Sequence, residues 1–243
     1  MSQPLHIGLL LCHSFEDMLD SVGGLDYPEL FRNNLLAFDA KLKFSDFHIL
    51  QGQFPESVDE CDVWLINGSP SGVYDDLQWI AKLKTFVQAL ELAKKPTIGI
   101  CFGHQLLAEA LGGKVTLSEK GLGIGLANNL VVEHAEFMQP SAKHIKLLGC
   151  HQDQVVKLPK GSKVLAASDF CPNYMVQFSP QMLGIQGHPE FTIKMIEAVI
   201  THEAYVDNAT LANFDMETLK GKDDAGLVFE WMVNFYRQNQ VQA

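Results

Sequence analysis

No Cys-x-x-Cys pair occurs in this chain, and its five cysteines (12, 61, 101, 150 and 171) leave an odd one. That usage speaks against a disulfide framework and fits a reducing, cytoplasmic setting. No apolar run approaches the ~20 residues needed to span a bilayer. The start, Met1-Ser-Gln-Pro-Leu-His6, lacks the basic residues and cleavage site of a secretory leader, so none is expected. Positive charge is scarce: Lys and Arg number 18 against 29 Asp and Glu, a formal net charge of −11. Such a balance argues against nucleic acid or an anionic membrane as a bulk partner. Internal repeats, low-complexity tracts and a domain-splitting linker are also missing, so residues 1–243 read as a single domain. What is plentiful is apolar: 47% hydrophobic residues over 243 positions can bury a full core.

The first half alternates strand and helix signals. His6–Cys12 is apolar throughout, as a buried parallel strand tends to be. Residues 13–28, with Gly23-Gly24 and Tyr27-Pro28, read as an ordered loop over that strand's end. Leu30–Phe38 reads as a short helix, Phe47–Leu50 as a second strand and Asp62–Asn67 as a third, running into Gly68-Ser-Pro-Ser-Gly72. Apolar residues at 77, 80, 81, 83, 86, 87, 90 and 93 predict a helix, which Lys94-Lys95 closes and Pro96 stops. After Gly112-Gly113 the segments at 114–116, 129–132, 145–148, 154–157, 163–166 and 174–178 are short and turn-separated, which predicts antiparallel pairing. Leu183–Glu190 returns to the core, Phe191–His202 reads as a helix, 207–225 as a polar loop or linker, and Gly226–Tyr236 as a final amphipathic helix. The expected fold is α/β: a mostly parallel central sheet flanked by helices, in a three-layer flavodoxin-like manner, with an antiparallel β extension.

The chemistry centres on Thr97-Ile-Gly-Ile-Cys-Phe-Gly-His-Gln105. This is G-x-C-x-G between a strand and a helix, the nucleophile-elbow pattern with Cys in place of Ser. The turn leaves no room for a β-carbon on either side, and the helix N-terminus beneath it favours negative charge on the sulfur. The plainer reading, a buried cysteine at a strand end, leaves Gly99 and Gly103 without purpose. A thiol nucleophile needs a base, an orienter and an oxyanion hole. His188-Pro189-Glu190 offers the first two: one ring nitrogen can face Cys101 while the other meets the carboxylate. Alone, such an H-x-E is more often structural; with the elbow upstream it becomes candidate catalytic machinery. The oxyanion donors would be the N–H of Phe102 and that of Ser69 in the loop after the third strand, although Gly68–Gly72 also reads as an ordinary turn.

These segments resemble the class I, triad-type glutamine amidotransferase family. The resemblance rests on Cys101-Phe-Gly-His-Gln105 with Gly112-Gly113, Gly68–Asp75, His151-Gln-Asp-Gln-Val155 with Leu158-Pro159, and Gly187-His-Pro-Glu190, spanning about residues 60–191. The look is that of a free-standing, GMP-synthase-like branch, and it is also similar to γ-glutamyl peptidases. The resemblance implies a Cys101–His188–Glu190 triad. It places the glutamyl group of the substrate against Gly68, Gly103, Gln105, His151, Gln152 and Asp153. The implied activity cleaves the γ-glutamyl C–N bond of glutamine through a thioester, releasing ammonia for a partner synthetase or acceptor. A stand-alone γ-glutamyl peptide or amine hydrolase is the alternative, and a catalytically idle regulatory or binding protein is an alternative of another class. Two departures stand out: Ser69 where many members have glycine, and glycine in Gly121–Gly125 where many carry an acidic residue. No ATP-binding synthetase segment is expected within these 243 residues. Gly121–Gly125 lacks the context of a phosphate loop and reads as a loop or strand bend.

His13, His134, His144 and His202 show no metal-ligand spacing, and neither metal nor cofactor is expected. Cys12, Cys61, Cys150 and Cys171 read as small buried residues. Cys12 and His13, at a parallel strand's carboxyl end, are placed to line a pocket.

Overall fold

A computed structural model describes residues 3–201 and 215–240. Its centre is a nine-stranded sheet ordered β2-β1-β3-β4-β11-β10-β9-β6-β7. The parallel half comprises β1 (Leu5–Leu11), β2 (Leu42–His48), β3 (Val63–Ile66), β4 (Thr97–Ile100) and β11 (Met182–Ile185). The rest is antiparallel: β10 (Met175–Ser179), β9 (Lys163–Ala167), β6 (Gly123–Val131) and β7 (His144–His151). Outside it, β5 (Lys114–Leu117) pairs antiparallel with β8 (Asp153–Lys157).

The strand pattern explains the layering. Successive side chains of a strand point to opposite faces. In β3, Val63 and Leu65 join one apolar cluster, and Trp64 and Ile66 join the other. Helices cover both faces, as an all-buried parallel strand requires. On the Trp64 side lie α3 (Gln78–Leu92), which buries Ile80, Leu83, Val87 and Leu90, and α4 (Phe102–Ala110). On the other side pack α2 (Tyr27–Leu36), α5 (Ile193–Thr201) and α6 (Ala225–Gln240), beside the single turn α1 (Leu19–Val22). The Tyr236 hydroxyl donates to the Trp64 carbonyl at 2.8 Å, tying α6 to the middle of the sheet. Among the described residues no helix is long and apolar enough to cross a membrane.

Several boundaries depart from the sequence expectation. The second strand is Leu42–His48, and Ile49–Gln51 is a 3-10 turn. Among the described residues this strand is at the sheet edge and pairs with β1 alone, so its polar Ser45 and Asp46 were no obstacle. Ser45 Oγ lies 2.9 Å from His6 Nε2, and Asp46 is ion-paired with Arg32. The helix expected over 30–38 begins at Tyr27, because Asp26 caps it and Pro28 suits a first turn. The stretch read as a loop, 13–28, also holds α1 and a 3-10 turn at Glu16–Met18. β6 starts within the glycine segment, at Gly123, and Gly125 bends it with φ of 111°. Of the linker expected at 207–225, residues 207–214 lie outside those described, as does His202, while Met216–Leu219 form a 3-10 turn.

Candidate active site

Four neighbouring parallel strands deliver their carboxyl ends to one edge of the sheet. β1 leads to His13, β3 to Gly68, β4 to Cys101 and β11 to His188. This is where open α/β sheets gather their ligands. A cavity of about 720 Å³ opens there, lined among others by His13, Ser69, Cys101, Gln105, His151 and His188.

Cys101 sits at a sharp turn with φ of 51° and ψ of −103°. Side chains rarely adopt that conformation, and it holds only where the surroundings over-determine it. The glycines on either side supply that constraint. A β-carbon on Gly99 would lie 2.3 Å from the Gly103 carbonyl, and one on Gly103 would lie 2.4 Å from the Ile66 oxygen. Strand β4, helix α4 and strand β3 therefore meet backbone to backbone beneath the sulfur. Phe102 opens α4, so its N–H has no intrahelical acceptor. Its ring is buried against Trp79, with centroids 5.3 Å apart.

His188 and Glu190 are both buried, and His188 Nδ1 donates to Glu190 Oε1 at 2.8 Å. The His188 N–H donates to the Leu148 carbonyl at 2.8 Å, which fixes the loop leaving β11 against β7. A β-carbon on Gly68 would fall 2.9 Å from His188 Cε1 and 3.8 Å from Cys101 Cβ, so both side chains close on one point of the β3 loop. Burial opposes charge on His188. The Glu190 carboxylate, the Cys101 sulfur and hydrogen bonds to both outweigh it and push the pKa up to about 10. At neutral pH the ring holds its second proton.

Gly68 and Gly103 do not line the cavity: Gly103 closely approaches the Ile66 backbone, and Gly68 faces the side chains of His188, Tyr27 and Cys101. Gln105 does line it and donates to the Asp153 carbonyl at 2.9 Å and to Gln186 Oε1 at 3.2 Å. His151, with Nδ1 3.3 Å from the Asp153 carbonyl, is driven down to about 4, chiefly by burial, with the charge of His188 adding to the fall. Gln152 Nε2 donates to the Ser118 carbonyl at 3.4 Å. The Asp153 carboxyl is raised by burial and accepts from the Tyr74 hydroxyl at 2.9 Å. Of the two pocket candidates at the end of β1, His13 lines the cavity, whereas Cys12 is fully buried.

Three contributors escape a reading of the sequence. Gln186 donates to Cys101 Sγ at 3.6 Å, linking Gln105 to the sulfur. Its signal was a lone polar residue in an otherwise apolar strand end. The Phe191 ring stacks on the His188 imidazole, 3.8 Å between centroids and 13° between planes. Tyr74 bridges the β3 loop to Asp153 across the cavity rim. Tyr74 has no local signal, because its contact joins separate loops, and Phe191, three residues after His188, reads in sequence only as the start of a helix.

The chain resembles known proteins over most of its length. A family model described as glutamine amidotransferase class-I matches residues 26–207. Gamma-glutamyl peptidase 5 of Arabidopsis thaliana is 37% identical over 161 residues, 63% of this chain and 64% of that protein. The match thus spans less than two thirds of the peptidase's length. One of the subunits of the glutamine-hydrolyzing GMP synthase of Sulfolobus acidocaldarius is 31% identical over 160 residues, 65% of this chain and 83% of that protein. A glutamine amidotransferase structure from Thermotoga maritima shares the fold, with a TM-score of 0.76, 18% identity and coverage of 100% of both chains. With the fold, the elbow and the matched span in agreement, the chain belongs to the class-I glutamine amidotransferase family.

Proposed function

We propose that the chain is a cysteine hydrolase of γ-glutamyl C–N bonds, with Cys101 as nucleophile, His188 as acid and base, and Glu190 as orienter. The observation that carries this reading is the buried His188, bonded to Glu190 and interacting with the Cys101 sulfur at a strained elbow. Cys101 sulfur attacks the γ-carbonyl carbon, and the electron pair moves to oxygen, where the Phe102 and Ser69 N–H groups receive it. Collapse breaks the C–N bond, and His188 gives its proton to the departing amine or ammonia. The thioester that remains takes up water: His188 removes one proton as the water oxygen bonds to the carbonyl carbon, and collapse breaks the C–S bond, releasing glutamate and returning the Cys101 thiolate beside protonated His188. Glu190 holds the imidazole orientation in both steps.

With glutamine as substrate the product is ammonia, to be handed to a synthetase partner or an acceptor, the role suggested by the relative from a GMP synthase. A second reading, a stand-alone hydrolase of γ-glutamyl peptides or amines, is favoured by the cavity. Its volume of about 720 Å³ falls in the range, about 300–1,000 Å³, that takes whole drug-sized ligands. In either case the whole chain is read as one domain working in a reducing cytoplasm, where a reactive cysteine persists.

Replacing Cys101 with Ala should lower hydrolysis of glutamine and of γ-glutamyl peptides by about a thousand-fold or more, with the thermal melting curve preserved. Cys101 should also be alkylated by a glutamine-like electrophile, with the adduct located by peptide mass spectrometry. Absence of that adduct would leave the idle, non-enzymatic reading in its place.

A further inference from the structure

The leaving-group side of the cavity is built from aromatic rings. Phe15 and Tyr27 stack at 4.8 Å with 16° between planes, and Phe191 lies 6.1 Å from Phe15 and 6.4 Å from Tyr27. His13 meets the same pair edge-on, at 5.2 Å and 6.0 Å. All four line the cavity.

Asp26 fixes this wall from behind. Its carboxylate accepts from the Phe15 N–H at 2.7 Å, the Tyr27 N–H at 2.8 Å and the Ser14 hydroxyl at 2.5 Å. One side chain thus holds both stacked rings by their backbones while capping α2. A wall arranged in advance costs a ligand little ordering entropy on binding.

The wall's position follows from the chemistry of the cleft. His188 must protonate the departing nitrogen, so that nitrogen has to lie at its ring. Phe191 stacks on that ring, and Phe15 and Tyr27 continue from Phe191. Whatever the nitrogen carries is therefore led along these rings. The remaining lining, with Gln105, Asp75, Asp153, Leu117 and Leu122, is left for the glutamyl portion. Apart from His188, already engaged by Glu190 and Cys101, the lining holds no fixed cation: among the described residues no Lys or Arg is part of it. Ammonia would make no use of the rings. A carboxylate next to the scissile nitrogen would find aromatic faces, whose quadrupole is negative, and no partner.

We infer that the preferred substrate is a γ-glutamyl amide whose amine carries an apolar or aromatic group and no carboxylate beside the nitrogen, selected by Phe15, Tyr27 and Phe191. This rests on the γ-glutamyl hydrolase reading above and specifies its leaving group. The test compares kcat/KM of the full chain for γ-glutamylbenzylamide, γ-glutamylglycine and glutamine. The three leaving amines differ little in basicity, so the ratios report recognition. The benzylamide should exceed both others by about ten-fold or more. Phe15→Ala should remove that advantage, lowering kcat/KM for the benzylamide by about ten-fold more than for glutamine. Phe15→Leu, which keeps most of the volume and the backbone bond to Asp26, serves if the alanine variant does not fold, and should reduce the same preference.

A glycine derivative or glutamine turned over as well as the benzylamide overturns the inference and leaves the hydrolase reading intact. So does a Phe15 variant that slows all three substrates alike. Failure of all three substrates, with Cys101 inert to a glutamine-like electrophile, removes the hydrolase reading and the inference together.

Discussion

His188 keeps its proton because of its two neighbours and in spite of its burial. A histidine removed from water ordinarily loses charge, as His104 does: fully buried, it is driven down to about 3 by burial and then by the charge of His151. The opposite outcome at His188 requires the carboxylate of Glu190 and the Cys101 sulfur close by. A consequence can be measured in the pH dependence of kcat/KM. With the folded pKa near 10, the protonated ring persists through neutrality, and activity should decline only as pH approaches that value. Glu190→Gln removes the largest stabilising charge, so its alkaline limb should move down toward the ordinary histidine range near 6.5. A wild-type profile that already falls near pH 7 would contradict this account, as would a variant profile with an unmoved limb.

The elements around the site show what sequence alone can and cannot disclose. The elbow was legible because its constraint is local: two glycines at fixed offsets from a cysteine, between an apolar strand and a helical pattern. The structure supplies the reason in the 2.4 Å that would separate a Gly103 β-carbon from the Ile66 oxygen. The parallel strands were legible for a similar reason, since β3, β4 and β11 are buried along their whole length. The second strand was misplaced because an edge strand bonded on one side tolerates polar residues, so its pattern carried no signal. Asp26 and Pro28 were taken for loop residues, yet they start α2, because cap and turn chemistry use the same residue types. Gln186 and Tyr74 act across segments distant in sequence, which no spacing rule can reveal, and Phe191, three residues after His188, was read only as the start of a helix. The elbow itself gives a sharp test. Alanine is the better helix former by about 1 kcal/mol, so helix propensity alone predicts that Gly103→Ala stabilises. The contact with the Ile66 backbone should reverse that sign, costing about 1–3 kcal/mol and lowering Tm by roughly 2–12 °C in a thermal melt. An unchanged or higher Tm would mean that α4 can move away from β3 without cost.

At the scale of the whole molecule, one fold must hold both neutral and charged histidines in its interior. His104 and His151, driven down to about 3 and about 4, fold as neutral rings, and His188, near 10, folds as a charged one. In the unfolded chain all three titrate near 6.5. Below that pH the unfolded chain binds protons that folded His104 and His151 refuse, so stability falls as pH drops toward 4. Above it, folded His188 keeps a proton the unfolded chain has released, so stability falls as pH rises toward 10. The buried thiols of Cys61, Cys150 and Cys171, pushed up to about 12 mainly by burial, add to the alkaline loss only once an unfolded cysteine ionises, above about 8.5. Between pH 6.5 and 8.5 the falling slope comes from His188, opposed near 6.5 by the protons the unfolded chain still holds on His13, His104 and His151, and toward 8.5 it approaches about 1.4 kcal/mol per pH unit, the limit for one proton. Urea unfolding at pH 5.5, 6.5 and 8.5 should give greatest stability at the middle value. Glu190→Gln should flatten the upper interval while leaving the lower one in place. A wild-type protein as stable at pH 8.5 as at 6.5 would mean that His188 is neutral in the fold, and the charged pair with Glu190 would have to be abandoned.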